Sequence, residues 1–251
     1  MLQNTIRVSL FSFFLITNFA FAQTKTFDVT AFESVVISPH IEVTFQKGTT
    51  PSVVVESSTE PIEKLNVEVK NNTLSIFLED ARVFTKNKKK RKNGYKVSKP
   101  IYNGTVVKAV VTYTNLTELD LRGEERFLFE SEINAEKLKL NIYGASQVTM
   151  NKVTLNSLQA SIYGESVLEI KEGSIARQKF TAYGETTVNT QEVISKETKL
   201  TAYGEGTFQL HVADRLKVTC YGEATVVYKG NPDVDRGLVI GEAKIVRKSN
   251  L

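Results

Sequence analysis

A seven-residue motif recurs in this chain at nearly constant intervals. The heptapeptides KFTAYGE, KLTAYGE and KVTCYGE begin at Lys179, Lys199 and Lys217. Glycines at the matching position are spaced by 21, 20, 20, 20, 18 and 19 residues: Gly123, Gly144, Gly164, Gly184, Gly204, Gly222 and Gly241. A repeat of this period is typical of solenoids, in which each repeat buries its apolar face against its neighbours.

Apolar and polar residues alternate on both sides of each motif glycine. Around Gly164, Ala160 and Ile162 precede the glycine, and Leu168 and Ile170 follow it. A period of two predicts β-strands rather than helices, and glycine suits a sharp bend between two strands. We therefore predict an all-β fold, a single-stranded parallel β-helix, right-handed, with two short strands and about 20 residues per coil.

A β-sandwich built from similar hairpins is the alternative fold. The equal spacing of the glycines argues against it, because hairpin lengths in a sandwich vary. Left-handed hexapeptide and pentapeptide helices are also excluded, since the apolar residues do not recur every six or five positions.

The first 22 residues have the pattern of a secretory signal. Arg7 precedes an apolar run that ends in the small-residue pattern Ala20-Phe21-Ala22. A membrane anchor is the alternative, but the run is shorter than a spanning helix requires. We predict one β-solenoid domain over 23–251, with irregular coils over 23–118 and regular coils over 119–246. No later segment is apolar enough to span a bilayer.

Cysteine and histidine are scarce. Cys220 is the only cysteine, so no intrachain disulfide can form, which argues against a small disulfide scaffold. For an exported chain this favours the periplasm or the cell surface of a Gram-negative bacterium. His40 and His211 lie far apart in the sequence, which argues against a histidine-based metal or catalytic centre.

Positive charge is concentrated in one segment, a predicted loop over 82–99. It carries nine Lys or Arg and no acid, whereas the net charge of the whole chain is only +4. A solvated excursion is one interpretation; a site for an anionic partner, such as lipopolysaccharide phosphates or acidic polysaccharide, is the other. Its candidate residues are Lys88, Lys89, Lys90, Arg91 and Lys92. Nucleic acid is not expected, because the chain is exported and its remainder is acidic.

The distributed pattern resembles a known family. The segments FESVVISPHIEVTFQKG, LNVEVKNNTLSIFLED and VVKAVVTYTNLTELDLRGEERF, followed by glycine-cornered coils, are similar to the head GIN domain family of auto-transporter adhesins. The similarity covers 27–246. It implies a β-helical fold and an exported location, and it implies no catalytic chemistry. Tyr and Glu around the corner glycine depart from the family's usual small Ser/Gly corners.

The motif predicts rows of identical side chains on the outer surface, one residue per coil. A tyrosine precedes the corner glycine in five coils: Tyr143, Tyr163, Tyr183, Tyr203 and Tyr221. A glutamate follows it in four of them: Glu165, Glu185, Glu205 and Glu223. These are the candidate ligand-binding residues.

Each row has two interpretations. The tyrosines either stabilise the stack by ring packing or bind a linear glycan, with sugar C–H faces on the rings. The glutamates repel one another along the row, so they either splay into solvent or face a cation such as Ca²⁺ or a partner's Lys or Arg.

We predict a non-enzymatic, adhesin-like binding protein whose ligand is a glycan or another cell-surface component. The acids form a uniform row without a singular cluster, and no nucleophilic triad is apparent, which disfavours a polysaccharide-degrading enzyme. A structural envelope scaffold and a calcium-binding β-helix are the alternatives. The oligomeric state is left open.

Overall fold

The computed structural model describes residues 24–92 and 95–248. These residues form 18 β-strands and one 3-10 turn, Ile62–Lys64. The predicted signal segment, residues 1–22, lies outside the described residues. Within the described part of the chain, no helix is long and apolar enough to cross a membrane.

The strands fall into an irregular N-terminal set and a regular C-terminal set. The first set is β1 (Lys25–Asp28), β2 (Ser34–Ile37), β3 (Ile41–Lys47), β4 (Ser52–Ser58), β5 (Leu65–Lys70), β6 (Thr73–Leu78), β7 (Asn87–Lys92), β8 (Tyr95–Pro100) and β9 (Val107–Tyr113). The second set is β10 (Glu118–Gly123), β11 (Arg126–Phe129), β12 (Ile133–Gly144), β13 (Gln147–Met150), β14 (Val153–Gly164), β15 (Val167–Ile170), β16 (Gly173–Tyr183), β17 (Thr186–Lys229) and β18 (Asp233–Arg247).

Successive coils of the regular set pair through parallel strands at equivalent positions. Ile142 of β12 lies beside Ile162 of β14, which lies beside Ala182 of β16. The row continues with Ala202 in β17, a strand long enough to run through more than one coil. This arrangement confirms an all-β parallel solenoid with coils about 20 residues apart; its right-handed winding stays a prediction.

Each coil contains a third paired segment besides the two that the alternation predicts. Residues 133–135 pair with 153–155, these with 173–175, and these in turn with 193–195. Gly173 and Ser195 interrupt the apolar pattern there. The periodicity is therefore too weak in this segment to reveal a strand.

The corner glycines are required for two physical reasons. Gly144 and Gly164 have φ angles of 108° and 110°, a region that side-chain-bearing residues rarely adopt. A Cβ on Gly164 would also lie 2.2 Å from the carbonyl oxygen of Gly144 in the coil beneath. The coils can stack at this corner only because glycine lacks a side chain.

The core is a set of inward rows that run along the solenoid. The positions that the alternation predicts as inward are buried; Val148 and Leu168, for example, are at most 1% exposed. Large rings also stack between coils, since Phe45 and Phe129 lie 4.3 Å apart with planes 2° from parallel. Burial of such side chains stabilises the fold by about 1.5–3 kcal/mol each.

The stacking order at the N-terminal end does not follow the sequence. Strand β2 lies between β6 and β10, and β3 lies between β9 and β11. The first coil in the sequence is therefore covered by a later one. Antiparallel strands β5, β4 and β1 then close this end. As a result, residues 82–85 and 104–106, which we call the overlying segment, lie against the first corner, at Pro39 and His40.

A hydrogen-bonded cluster of polar side chains is buried among the apolar rows. The side-chain Nε2 of Gln178 donates to Ser195 Oγ at 3.0 Å and to Thr198 Oγ1 at 2.9 Å. Ser195 Oγ donates to the carbonyl oxygen of His211 at 2.9 Å. These mutual hydrogen bonds offset much of the cost of burying the polar groups.

Candidate binding surface

The five motif tyrosines form one continuous column, which we call the tyrosine stack. Tyr143, Tyr163, Tyr183 and Tyr203 occupy equivalent positions on neighbouring strands, and Tyr221 continues the column. Successive ring centroids lie 4.7–5.0 Å apart, with planes within 5° of parallel. The rows predicted from the motif are thus present in the structure.

Stacking determines which part of each ring reaches solvent. An interior ring such as Tyr183 is 38% exposed, yet both of its faces lie against neighbouring rings. The ring edges and hydroxyl groups are what remain accessible. The expectation that sugar C–H groups lie on the ring faces is therefore wrong for the interior of the stack.

The stack has two chemically different ends. At one end, Arg122 takes the position equivalent to Tyr143, and its guanidinium carbon lies 5.6 Å from the centre of that ring. Burial and the nearby Asp120 carboxylate raise the pKa of Tyr143. At the other end, Ile240 takes the position equivalent to Tyr221 and is 57% exposed.

Beside the stack runs the glutamate row. Its four members are exposed, and none of them forms an ion pair among the described residues: Glu165, Glu185, Glu205 and Glu223. Two of the motif lysines are engaged elsewhere, because Lys139 pairs with Glu118 at 2.6 Å and Lys217 with Asp235 at 2.9 Å. The row is a line of unneutralised negative charge.

The predicted calcium site is not preformed in the described residues. No group of three or more His, Cys, Asp or Glu side chains there converges as metal ligands would. Binding of Ca²⁺ to the glutamate row stays a prediction.

The basic segment is a β-hairpin rather than the predicted loop. Strands β7 and β8 pair antiparallel to each other and form a separate two-stranded sheet, which we call the basic hairpin. Lys88 lies directly opposite Lys99, and both are exposed. The other candidates lie on β7: Lys89 is exposed, while the side chains of Lys90, Arg91 and Lys92 lie outside the described set.

A pocket that the sequence does not reveal lies between the overlying segment and the first corner. It has a volume of about 710 Å³, and we call it the corner pocket. Its walls include His40, Phe84, Tyr102, Glu125 and Tyr143. Tyr143 is also the first ring of the tyrosine stack, so the pocket and the stack are continuous.

His40 connects three segments of the corner pocket. Its Nδ1 donates to the carbonyl oxygen of Gly104 at 2.7 Å, and its Nε2 is 2.5 Å from the hydroxyl of Thr85. The ring also packs edge-on against Tyr102 at 5.8 Å. His40 has a φ of 72° and lies one residue after Pro39, which takes the position of the corner glycine in later coils. It holds the walls of the pocket in position.

Glu125 places a buried carboxylate at the corner pocket. The residue is 5% exposed, and its Oε2 accepts a hydrogen bond from the backbone N–H of Glu124 at 2.9 Å. Burial raises the pKa of Glu125, while backbone N–H groups and the nearby His40 partly oppose the shift.

The doubled acid after Gly123 is the one sequence signal for this site. Five other coils carry a single glutamate after the corner glycine and one carries Ala145, whereas Glu124 is followed by Glu125. The pairing of Glu125 with His40 depends on the overlying segment. The sequence alone could not show it.

The fold is shared with several solved structures, all of low sequence identity. One, described as a "putative adhesin" from Bacteroides fragilis, has a TM-score of 0.74 at 16% identity, covering 90% of this chain and 96% of that one. Another "putative adhesin", from Parabacteroides merdae, has a TM-score of 0.66 at 18% identity, covering 90% and 95%. A "putative lipid binding protein" from Parabacteroides distasonis has a TM-score of 0.58 at 15% identity, covering 90% and 97%.

A comparison with curated protein sequences found no match. A family model described as "Putative auto-transporter adhesin, head GIN domain" matches residues 31–232, which is most of the chain. The match agrees with the glycine-cornered coils and with the resemblance seen in the sequence. The chain therefore belongs to the head GIN domain family.

Proposed function

We propose that this protein is an exported, non-enzymatic adhesin-like protein that binds a glycan or another cell-surface component along the tyrosine stack and the glutamate row. Family membership supports an adhesin-like binding role. The observation that carries the proposal is the column of five parallel rings beside four unpaired carboxylates.

The available atoms determine how such a ligand would bind. The stack offers tyrosine hydroxyls and ring edges, and the glutamate row offers carboxylate oxygens, both repeated at the interval of one coil. A linear polymer with hydroxyl or amide groups can form equivalent hydrogen bonds at successive coils. Each contact is weak alone, but several on one rigid surface act together.

An array of linear polysaccharides and oligosaccharides tests the proposal directly. The double variant Tyr183→Phe/Tyr203→Phe removes two hydroxyls and keeps the stacked rings, so it should bind at least tenfold more weakly without loss of stability. The variant Glu185→Gln/Glu205→Gln should weaken binding in the same way. Glu172→Gln is the matched control, because Glu172 is exposed but lies outside the row.

Two results would count against this proposal. If the wild type binds no glycan and no surface protein, the structural scaffold becomes the better explanation. If it binds and neither double variant weakens the interaction, the ligand occupies another surface. Titration with Ca²⁺ on the same variants tests the metal hypothesis separately.

The basic hairpin supports a second candidate function, binding of an anionic polymer. Like charges directly opposite each other, as at Lys88 and Lys99, destabilise a strand pair. Isolated two-stranded hairpins are also marginally stable. An anionic partner such as lipopolysaccharide phosphate would relieve the repulsion.

The variant Lys88→Gln/Lys89→Gln tests this second candidate against lipopolysaccharide and polygalacturonate. Binding should weaken in the variant, and it should fall with added salt in the wild type. The double variant Lys47→Gln/Lys171→Gln makes the same charge change at two other exposed lysines. If both variants bind equally, the hairpin is not the site.

A further inference from the structure

A buried carboxylate, that of Glu125, lies on the wall of the corner pocket. Its Oε2 accepts a hydrogen bond from the Glu124 N–H at 2.9 Å, and the backbone N–H of His40 also donates to the carboxylate. The nearest cationic candidate is His40 Nδ1 at 4.0 Å, and that nitrogen is already bonded to Gly104. An ionised carboxylate has about four lone-pair sites, so a ligand that brings a donor can add a hydrogen bond to those from the backbone.

The mouth of the pocket is apolar. Phe84 and Val83 are 74% and 59% exposed, and no other ring among the described residues stacks on Phe84. Exposed apolar side chains beside a concave polar surface mark ligand sites. A ligand with one apolar face fits this wall.

The charge around the pocket excludes an anionic ligand. Arg122 is the one cation on the pocket wall, and it is bonded to Asp120 at 2.8 Å while lying over Tyr143. Glu124 and Glu125 add two carboxylates to the same wall. The pocket therefore has acceptors in excess and requires a neutral or cationic donor.

We propose that the corner pocket binds the terminal sugar of a glycan chain whose other units lie along the tyrosine stack. Sugar hydroxyls supply donors to Glu125 and Glu124, and the C–H face of the ring packs on Phe84. Tyr143 lines the pocket and begins the stack, so one chain can occupy both. The pocket's volume is in the range of small-molecule sites. The choice of a sugar rests on the proposed function; the presence of a ligand pocket does not.

The test uses monosaccharides, which fill the pocket but cannot span the stack. Methyl glycosides of glucose, galactose, mannose, glucosamine and N-acetylglucosamine are titrated into the full chain and followed by saturation-transfer NMR. At least one should bind, and Phe84→Ala and Glu125→Gln should each weaken it about tenfold. Phe84 is exposed, so that variant keeps its fold even if Glu125→Gln does not.

The control variant is Ile194→Ala, which truncates an exposed apolar side chain outside the pocket and the stack and should bind the monosaccharide as the wild type does. If long glycans bind and no monosaccharide does, the pocket proposal fails while the proposed function stands. If a monosaccharide binds and Phe84→Ala has no effect, the pocket is again not the site. If butylamine binds at Glu125 and no sugar does, the pocket takes an amine and the sugar proposal is overturned.

Discussion

The rings of Tyr183 and Tyr203 lie parallel, 4.7 Å apart, on neighbouring coils of the solenoid. Tyr183 has a second such neighbour in Tyr163 at 4.9 Å. The Tyr183→Ala variant loses both stacking contacts. We expect it to lower the free energy of unfolding by about 1–3 kcal/mol, measured by denaturant titration.

Tyr183→Phe separates stacking from hydrogen bonding in this prediction. The phenylalanine ring keeps both contacts, so its unfolding free energy should stay near the wild-type value. A phenylalanine variant as unstable as the alanine variant would show that the hydroxyl, not the ring stack, stabilises the fold.

Gly164 should tolerate no side chain. Alanine there has to adopt a φ of 110° and meets the Gly144 carbonyl oxygen at 2.2 Å. We expect Gly164→Ala to destabilise the protein by at least about 2 kcal/mol, with a clear fall in melting temperature.

Gly104→Ala is the matched control for this variant. Gly104 also has a positive φ, 58°, but a Cβ there would meet no atom within 4 Å. Gly104→Ala should lower the free energy of unfolding by about 1 kcal/mol, through backbone strain alone. Equal effects of the two variants would mean that close stacking at the corner is unimportant.

The buried carboxyl of Glu125 should make stability depend on pH. Because burial raises the pKa of Glu125 above its ordinary value of 4.5, the folded state binds its proton more tightly than the unfolded state does. The contribution of Glu125 to the free energy of unfolding is therefore fully present below pH 4.5. It is lost as the pH rises through the folded-state pKa. Thermal melts across this range measure the slope.

The Glu125→Gln variant should lose that part of the pH dependence, since it cannot ionise. Glu124→Gln changes the exposed neighbour and should keep the wild-type slope. If Glu125→Gln retains the slope in full, the buried carboxyl is not the source of the pH dependence.

Tyr113 carries a buried hydroxyl without a hydrogen-bond partner among the described residues. The side chain is 1% exposed, and burial raises its pKa to about 12. Tyr113→Phe removes the unpaired group at almost constant volume, so we expect unchanged stability or a gain of about 1 kcal/mol. A loss of stability in denaturant titrations would reveal a partner for the hydroxyl.

The regular coils could be predicted because the sequence pattern that specifies each coil lies within a single repeat. Alternation around each glycine determines which side chains point inward, and equal spacing places equivalent residues beside each other, as Tyr163 beside Tyr183. The family and the all-β solenoid were confirmed on this basis. The domain boundaries and the role of the candidate binding residues stay predictions.

The N-terminal end could not be predicted because its pairing is non-local. Nothing in the sequence of β2 shows that it lies between β6 and β10 rather than at the end of the solenoid. The burial of Glu125 depends on that order, since Thr85 and Gly104 reach His40 only through the overlying segment. The strands of the basic hairpin could not be predicted, because successive basic residues leave no alternation of apolar and polar side chains in β7.

Because equivalent residues stack, the length of the candidate binding surface is a whole number of coils. A duplicated coil such as 179–198 would add one ring to the tyrosine stack, one carboxylate to the glutamate row and a rise of about 4.8 Å, and it would leave the cross-section unchanged. Because the coils join through the same register, the added ring would fall in line with those on either side. In such a protein the length of the surface would change by whole coils, through the number of repeats. The contacts within each coil would stay the same.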